Sequence, residues 1–135
     1  MHSTNYYNSF IVVAEDCPVD KAEIPALKGD NKTSARLQFE MIADNPYTYT
    51  SDDVIFSLYA MRNNIGLGDT QAREIFFSKG QACLRASPLC KRYGWGVHFN
   101  GEGKIALYGV DSPEYLTFAR DPNLKCYNAM RSKRK

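Results

Sequence analysis

The chain has 135 residues, of which 44% are hydrophobic and 24% charged, and its formal net charge is +2. These values are those of one ordinary folded domain, and they argue against a disordered, fibrous or collagen-like chain. A chain of this length buries roughly two thirds of its unfolded surface, so it needs no metal or disulfide to fold. A net charge this small indicates no particular class of partner.

The N-terminal segment predicts a strand and then a long loop. Residues 6–13 (YYNSFIVV) are rich in aromatic and β-branched types and alternate in part, which is typical of a strand. Residues 18–32 contain two prolines, a Gly-Asp-Asn sequence and scattered charges, so we expect a surface loop. A loop of this length in a compact domain is usually functional or contains an irregular element.

Three helices are predicted in the middle of the chain. Each begins at a Thr, Ser or Asp that can cap a helix, and each continues in apolar residues at helical spacing. An Asn-Pro pair ends the first, an Asn-Asn pair and a glycine end the second, and a glycine ends the third. The three predicted helices cover residues 33–44, 50–63 and 69–80.

The clearest β signal is a hairpin. Residues 93–99 and 104–110 are two apolar runs, joined by an Asn-Gly-Glu-Gly turn. Alternation gives the first strand one face with Trp95, Val97 and Phe99 and another with Gly94, Gly96 and His98. We expect the first face to contact the core and His98 to face away from it. The glycines then admit a helix or another backbone at close range, and the alternative is a ligand groove into which His98 points.

The C-terminal quarter predicts two more helices. Residues 111–113 (DSP) provide a cap and a first-turn proline, and an Asp-Pro pair at 121–122 ends that helix. A short last helix is predicted near Leu124, Tyr127 and Met130, before a basic tail of residues 131–135.

Together these elements predict an α+β fold. We expect a single domain of residues 1–130, in which a small antiparallel sheet packs with four to five helices. The sheet consists of the N-terminal strand and the hairpin of residues 94–110.

The charge is uneven along the chain. Residues 1–121 hold 12 basic and 15 acidic groups, whereas residues 122–135 hold five basic groups and no acid. A basic terminal run is typical of contact with nucleic acid, although a solvated chain end is the commoner explanation. Weak nucleic-acid binding through the tail is therefore one functional alternative.

A second asymmetry indicates a candidate binding site. Residues 75–101 contain no acid but include four cations. We therefore predict a binding module for a small anionic ligand or a protein, with its site within residues 79–98. The proposed anion site combines three cations with two hydrogen-bonding side chains, namely Arg85, Lys91, Arg92, Tyr93 and His98. The alternative is that these cations pair with acids from the N-terminal half, at little gain in stability.

The cysteines suggest a competing class of function. Cys17, Cys83, Cys90 and Cys126 lack the spacing of a metal site, and the N-terminus has no signal-peptide pattern. We therefore expect reduced thiols, a cytoplasmic location, and no metal or cofactor. The longest apolar runs are far shorter than the about 20 residues of a membrane span. The competing class is a small thiol-dependent enzyme that uses Cys83 or Cys90, with nearby cations and His98 as activating groups.

Several segments resemble a known family. They are residues 4–8 (TNYYN), 37–46 (LQFEMIADNP), 87–89 (SPL), 91–96 (KRYGWG), 103–108 (GKIALY) and 130–135 (MRSKRK). Together they resemble a family of small bacterial proteins of unknown function, and the similarity covers nearly the whole chain. The resemblance implies a bacterial intracellular single domain and contributes no catalytic residue.

Overall fold

The computed structural model describes residues 2–27 and 32–132 and has an α+β fold, as predicted. The strands of the described part are β1 (Ser9–Val12), β2 (Trp95–Phe99), β3 (Ile105–Gly109) and β4 (Lys125–Asn128). Its α-helices are α1 (Ser34–Ala43), α2 (Ser51–Arg62), α3 (Thr70–Phe76), α4 (Pro88–Lys91) and α5 (Pro113–Ala119). A single 3-10 turn, Leu84–Ala86, precedes α4.

Most helices begin where local capping chemistry predicts. Thr33, Asp69 and Ser112 each accept a hydrogen bond from a backbone N–H in the first turn of α1, α3 and α5. Thr50 and Asp53 form a reciprocal capping box at the start of α2. Each such cap contributes about 1 kcal/mol to helix stability. These polar residues therefore determine the helix starts locally.

The third helix is shorter than predicted. It ends at Phe76 and does not continue to Gly80. Phe77, its C-cap, is buried in a small cluster with Phe56 and Ala60. Burying this aromatic ring gains more than another turn of an exposed helix would, since helix propensities differ by less than about 1 kcal/mol per residue.

The last predicted helix is wrong, because its residues form the edge strand β4. The sheet order is β3-β2-β1-β4, and β4 runs parallel to β1 with Ile11 opposite Tyr127. The sheet is therefore mixed and not purely antiparallel, although β1, β2 and β3 pair antiparallel as predicted. Pairing with β4 satisfies backbone groups of β1 that would otherwise need another partner.

One face of the sheet contacts the main core. Val97 and Phe99 are fully buried there, and Trp95 packs at the edge of the cluster and is partly buried. This confirms the predicted core face of the first hairpin strand. The indole nitrogen of Trp95 donates to the carbonyl oxygen of Glu23 at 2.8 Å. The core is completed by buried residues of α1, α2, α4 and β1, including Ile42, Val54, Leu89 and Ile11.

The other face of the sheet lies under α5. Phe10 is fully buried on this face, and its ring centroid is 5.1 Å from that of Tyr115. Gly96 permits this close approach, since a Cβ there would lie 2.6 Å from Phe10 and 2.7 Å from Tyr115. The glycine therefore admits a helix at close range, which is the first of the two interpretations that alternation left open.

The four cysteine thiols are free. No group of three or more His, Cys, Asp or Glu side chains suited to a metal ion occurs within residues 2–27 and 32–132. None of the described helices combines the length and apolar character needed to cross a bilayer.

The basic tail is only partly within the described residues. Arg131 pairs with Glu15 at 3.2 Å, and the backbone N–H of Ser132 donates to the Asp16 carboxylate at 2.9 Å. The other three tail cations, residues 133–135, lie outside the described residues. The tail therefore begins in contact with acids of the domain.

Candidate functional site

A cavity of about 160 Å³ lies between α1, α2 and the segment before α4. We call it the Cys83 pocket. Its lining is Gln38, Ile55, Leu58, Ala82, Cys83, Leu84, Ala86, Ser87 and Pro88. The lining carries no charged side chain, and its polar groups are an amide, a hydroxyl and a thiol. The Cys83 pocket is therefore a small, largely apolar site.

Gln38 provides an unused hydrogen-bond donor in this pocket. It lies on the buried stripe of α1 with Ala35 and Ile42, and its side chain is about nine-tenths buried. Its Oε1 accepts from the Ser87 hydroxyl at 2.6 Å, while that hydroxyl accepts from the Leu89 N–H at 3.2 Å. The Ser87 proton is thus directed at Gln38. Within the described residues, no group accepts a hydrogen bond from Gln38 Nε2.

Cys83 lies in the same pocket beside a phenol. Its Sγ is 3.5 Å from the Tyr6 hydroxyl. The Tyr6 ring stacks on Tyr127 and makes an edge contact with Phe99, so the phenol is held in place. Burial raises the pKa of Tyr6, the contact with Cys83 adds to the rise, and nearby Arg85 opposes it. Tyr6 therefore keeps its proton at neutral pH and can donate to the sulfur.

The five residues predicted to bind an anion have separate local contacts in the structure. Arg85 donates through Nε to the Asn128 carbonyl at 2.7 Å, and its guanidinium lies 5.9 Å from the Tyr127 ring. Lys91 is in the last turn of α4 and Arg92 is its C-cap. Tyr93 accepts a backbone hydrogen bond from Glu23 at 2.8 Å.

His98 lies on the opposite face of the sheet from α4, which carries Lys91 and is capped by Arg92. It lies opposite Phe10 on the face that α5 covers, whereas α4 packs on the core face. No ion pair in the described part of the chain involves Arg85, Lys91 or Arg92, so the predicted pairing with N-terminal acids is also not observed for them.

The two candidate thiols have different environments. Cys90 is fully buried, and burial raises its pKa to about 12. A thiol in this environment is inert, because the thiolate is the nucleophile. Cys83 is partly exposed and lines the pocket. The described residues place no histidine within hydrogen-bonding distance of it, so His98 does not activate it.

His98 belongs to a separate polar chain beneath α5. The Tyr47 hydroxyl lies 2.8 Å from both His98 Nδ1 and the Tyr108 hydroxyl. Tyr47 has a positive φ of 57°, which is uncommon for a bulky residue, and its N–H donates to Ile105. The His98 ring stacks on Phe118 with centroids 4.2 Å apart. These contacts make His98 a packed, hydrogen-bonded residue.

This environment has a consequence for the pH dependence of stability. Burial lowers the pKa of His98, and the Asp121 carboxylate opposes this only in part. The unfolded chain therefore binds a proton more readily than the folded protein. The contribution of His98 to the free energy of unfolding is therefore fully present above the ordinary histidine pKa of about 6.5. It is lost as the pH falls through the lower pKa of His98 in the folded state.

We expect the melting temperature of the wild type to fall more steeply between about pH 7 and pH 5 than that of His98→Asn. Thermal melts across this range measure the difference. His2→Asn is the matched control, because His2 is the other histidine and is exposed. If His2→Asn flattens the dependence of melting temperature on pH and His98→Asn does not, the pH dependence does not come from His98.

A larger apolar groove lies on the far side of Leu58. It has a volume of about 360 Å³ and carries Lys32 and Glu40, which pair with each other at 2.6 Å. Its apolar lining includes Leu37, Met41, Tyr49, Met61 and Leu67. We call it the α1–α2 groove. Its two charged groups already have partners.

Gln38 and Tyr6 are not among the residues predicted from the sequence, whereas Cys83 is. A signal for Gln38 exists in the pattern, because residues 35, 38 and 42 share one face of α1. A polar residue at such a position needs a buried partner. No comparable signal marks Tyr6, whose role depends on a contact with a residue 77 positions away.

Comparison with known proteins gives one match. A family described as a family of unknown function (DUF6157) matches residues 1–135. No curated protein and no solved structure matches the chain. The match agrees with the resemblance to small proteins of unknown function and brings no activity with it.

Proposed function

Since the chain belongs to this family of unknown function, we propose a function from its geometry: it binds a small neutral ligand in the Cys83 pocket. The observation that carries the proposal is the Gln38 amide. Its Nε2 is a donor without an acceptor among the described residues, on a side chain that is about nine-tenths buried. Every buried side-chain nitrogen and oxygen among the described residues has a hydrogen-bond partner, so Gln38 Nε2, which has none, is an accessible donor on the pocket surface. A ligand acceptor that bonds to it contributes about 0.5 to 1.5 kcal/mol.

The pocket volume limits the size of the ligand. An apolar cavity of about 150 Å³ holds a benzene-sized molecule, and the Cys83 pocket measures about 160 Å³. Its apolar walls include Ile55, Leu58 and Leu84. A ligand with one ring or a short alkyl body fits these walls.

The pocket chemistry favours a neutral carbonyl over an anion. Burying a carboxylate or phosphate away from a partner charge costs far more than burying a carbonyl group. The lining carries no cation, and the Gln38 amide needs only an acceptor. The proposed ligand is therefore a small apolar molecule with a carbonyl oxygen. An anion at Arg85, Lys91 or Arg92 stays a prediction.

We expect benzamide, which has one ring and a neutral carbonyl, to raise the melting temperature of the wild type. The rise is about 3 to 6 °C at a concentration about ten times Kd. In Ala82→Leu this rise is lost, because Ala82 lines the pocket and a larger side chain obstructs it. A thermal-shift titration measures both.

The matched control is Ala26→Leu. Ala26 and Ala82 are both exposed, but only Ala82 lines the pocket, so Ala26→Leu keeps the wild-type response. An equal response in all three proteins would place any binding elsewhere. No response in the wild type at millimolar benzamide would remove the proposed function.

Two functions predicted from the sequence stay predictions. Protein binding is predicted within residues 79–98, whereas the larger apolar surface is the α1–α2 groove, where Lys32 and Glu40 already pair with each other. Nucleic-acid binding would use the basic tail, of which Arg131 already pairs with Glu15. A cytoplasmic location, expected from the cysteine spacing and the N-terminal sequence, also stays a prediction. We prefer the Cys83 pocket because it combines a concave, largely apolar surface with an unused donor on Gln38 in the described residues.

A further inference from the structure

We propose that the Cys83 pocket takes small aldehydes and that the Cys83 thiol adds to them reversibly. This inference rests on the proposed function, because the same pocket must first bind a carbonyl ligand. It adds a covalent step and restricts the ligand class.

The pocket brings together the groups that such a step needs. Gln38 Nε2 is a donor for the carbonyl oxygen, and Cys83 supplies a nucleophile in the same cavity of about 160 Å³. Both side chains line the same pocket, so a ligand held by Gln38 lies on the surface that also carries the Cys83 thiol. A donor at the oxygen stabilises the negative charge that develops there during attack.

Tyr6 assists on the sulfur side. Its hydroxyl is 3.5 Å from Cys83 Sγ, and its raised pKa keeps the phenol protonated at neutral pH. The phenol can therefore donate a hydrogen bond to the Cys83 sulfur when the thiol loses its proton. Arg85 lies close enough to Tyr6 to oppose part of this rise in pKa, although it does not line the pocket.

The step balances without any co-reactant. The sulfur electron pair forms a bond to the carbonyl carbon, and the π electron pair of the C=O bond moves to the oxygen. The proton that leaves the thiol returns to this oxygen through solvent, since Cys83 is partly exposed. The product is a hemithioacetal. Nothing is oxidised or reduced, no group leaves, and the reverse steps restore both reactants.

The other three thiols lack this combination. Cys90 is fully buried, and burial raises its pKa to about 12. Cys17 is 3.7 Å from the carbonyl oxygen of Val19, and Cys126 contacts those of Phe118 and Ala119. None of the three lines the cavity that holds Gln38.

The test uses benzaldehyde labelled with ¹³C at the carbonyl carbon, observed by NMR with the full-length protein. Adding the thiol converts this carbon from unsaturated to saturated. We expect a saturated-carbon resonance with the wild type and with Cys126→Ser. This resonance is absent with Cys83→Ser and disappears when the aldehyde is dialysed away. Gln38→Met, which removes the donor, weakens adduct formation about tenfold.

Benzamide separates the two proposals. It offers the same ring and a carbonyl, but the thiol does not add to it reversibly. Cys126→Ser, which lies outside the pocket lining, should bind benzamide as the wild type does, and a cooperative thermal melt shows that Cys83→Ser is folded. Benzamide binding without a saturated-carbon resonance would overturn the aldehyde adduct and leave the proposed function standing. Absence of benzamide binding would overturn the proposed function, and a resonance that persists in Cys83→Ser would place the adduct elsewhere.

Discussion

Replacing Phe10 with alanine is expected to lower the free energy of unfolding by about 3 to 5 kcal/mol, as for other buried aromatic truncations. Phe10 is fully buried between the sheet and α5, and its ring contacts those of Tyr115 and Phe118. The truncation leaves a cavity beneath α5 that the helix cannot fill without moving. Urea denaturation measures the change as a lower midpoint at an unchanged slope.

Leu116→Ala, on the α5 helix that covers Phe10, is the control. Leu116 is 51% exposed, so its truncation should change the stability by no more than about 0.5 kcal/mol. A Phe10→Ala variant no less stable than Leu116→Ala would show that α5 does not form a second core with the sheet.

The second large effect is expected at Gly96. An alanine Cβ there would lie 2.6 Å from Phe10 and 2.7 Å from Tyr115, so one of these rings must shift. Overpacking of this kind costs about 1 to 3 kcal/mol. The better strand propensity of alanine offsets only part of this, about 0.5 to 1 kcal/mol. Gly96→Ala is therefore expected to unfold at lower urea concentration than the wild type.

Gly101→Ala is the matched glycine control. Its Cβ would lie 3.5 Å from the Asn8 side chain, which is an ordinary contact distance. Equal urea midpoints of unfolding for Gly96→Ala and Gly101→Ala would contradict the close approach of α5 to β2.

The helix starts and the hairpin could be predicted from the sequence because their signals are local. Thr33, Thr50, Asp69 and Ser112 each cap a helix by accepting from the backbone N–H three positions later. The hairpin likewise depends on a short turn between two apolar runs. In these places the chain needs no distant partner to determine its local structure.

β4 could not be predicted in this way. The apolar residues near its position are spaced by three, which favours a helix, but β4 pairs with β1 more than 100 residues earlier in the chain. The short α4 helix is also absent from the elements predicted from the sequence. Ser87 caps the helix and Pro88 occupies its first turn.

The candidate site was predicted in part. Cys83 and Arg85 lie in the acid-free segment that the sequence singled out, but His98 lies across the sheet from them. Composition identifies residues that are close in the chain, whereas a pocket collects residues from different elements. Gln38 and Tyr6 reach the pocket region from α1 and from the segment before β1, so only the fold brings them to Cys83.

The most direct test of the Cys83 pocket is the side-chain amide signal of Gln38 in a ¹⁵N–¹H spectrum during a benzamide titration. Gln38→Met assigns this signal by its disappearance, and Gln81, whose Nε2 donates to the Phe76 carbonyl, is the internal control. We expect the Gln38 amide to shift progressively to saturation while the Gln81 amide stays in place. A Gln38 amide signal that does not shift while other signals reach saturation would contradict benzamide binding in the Cys83 pocket.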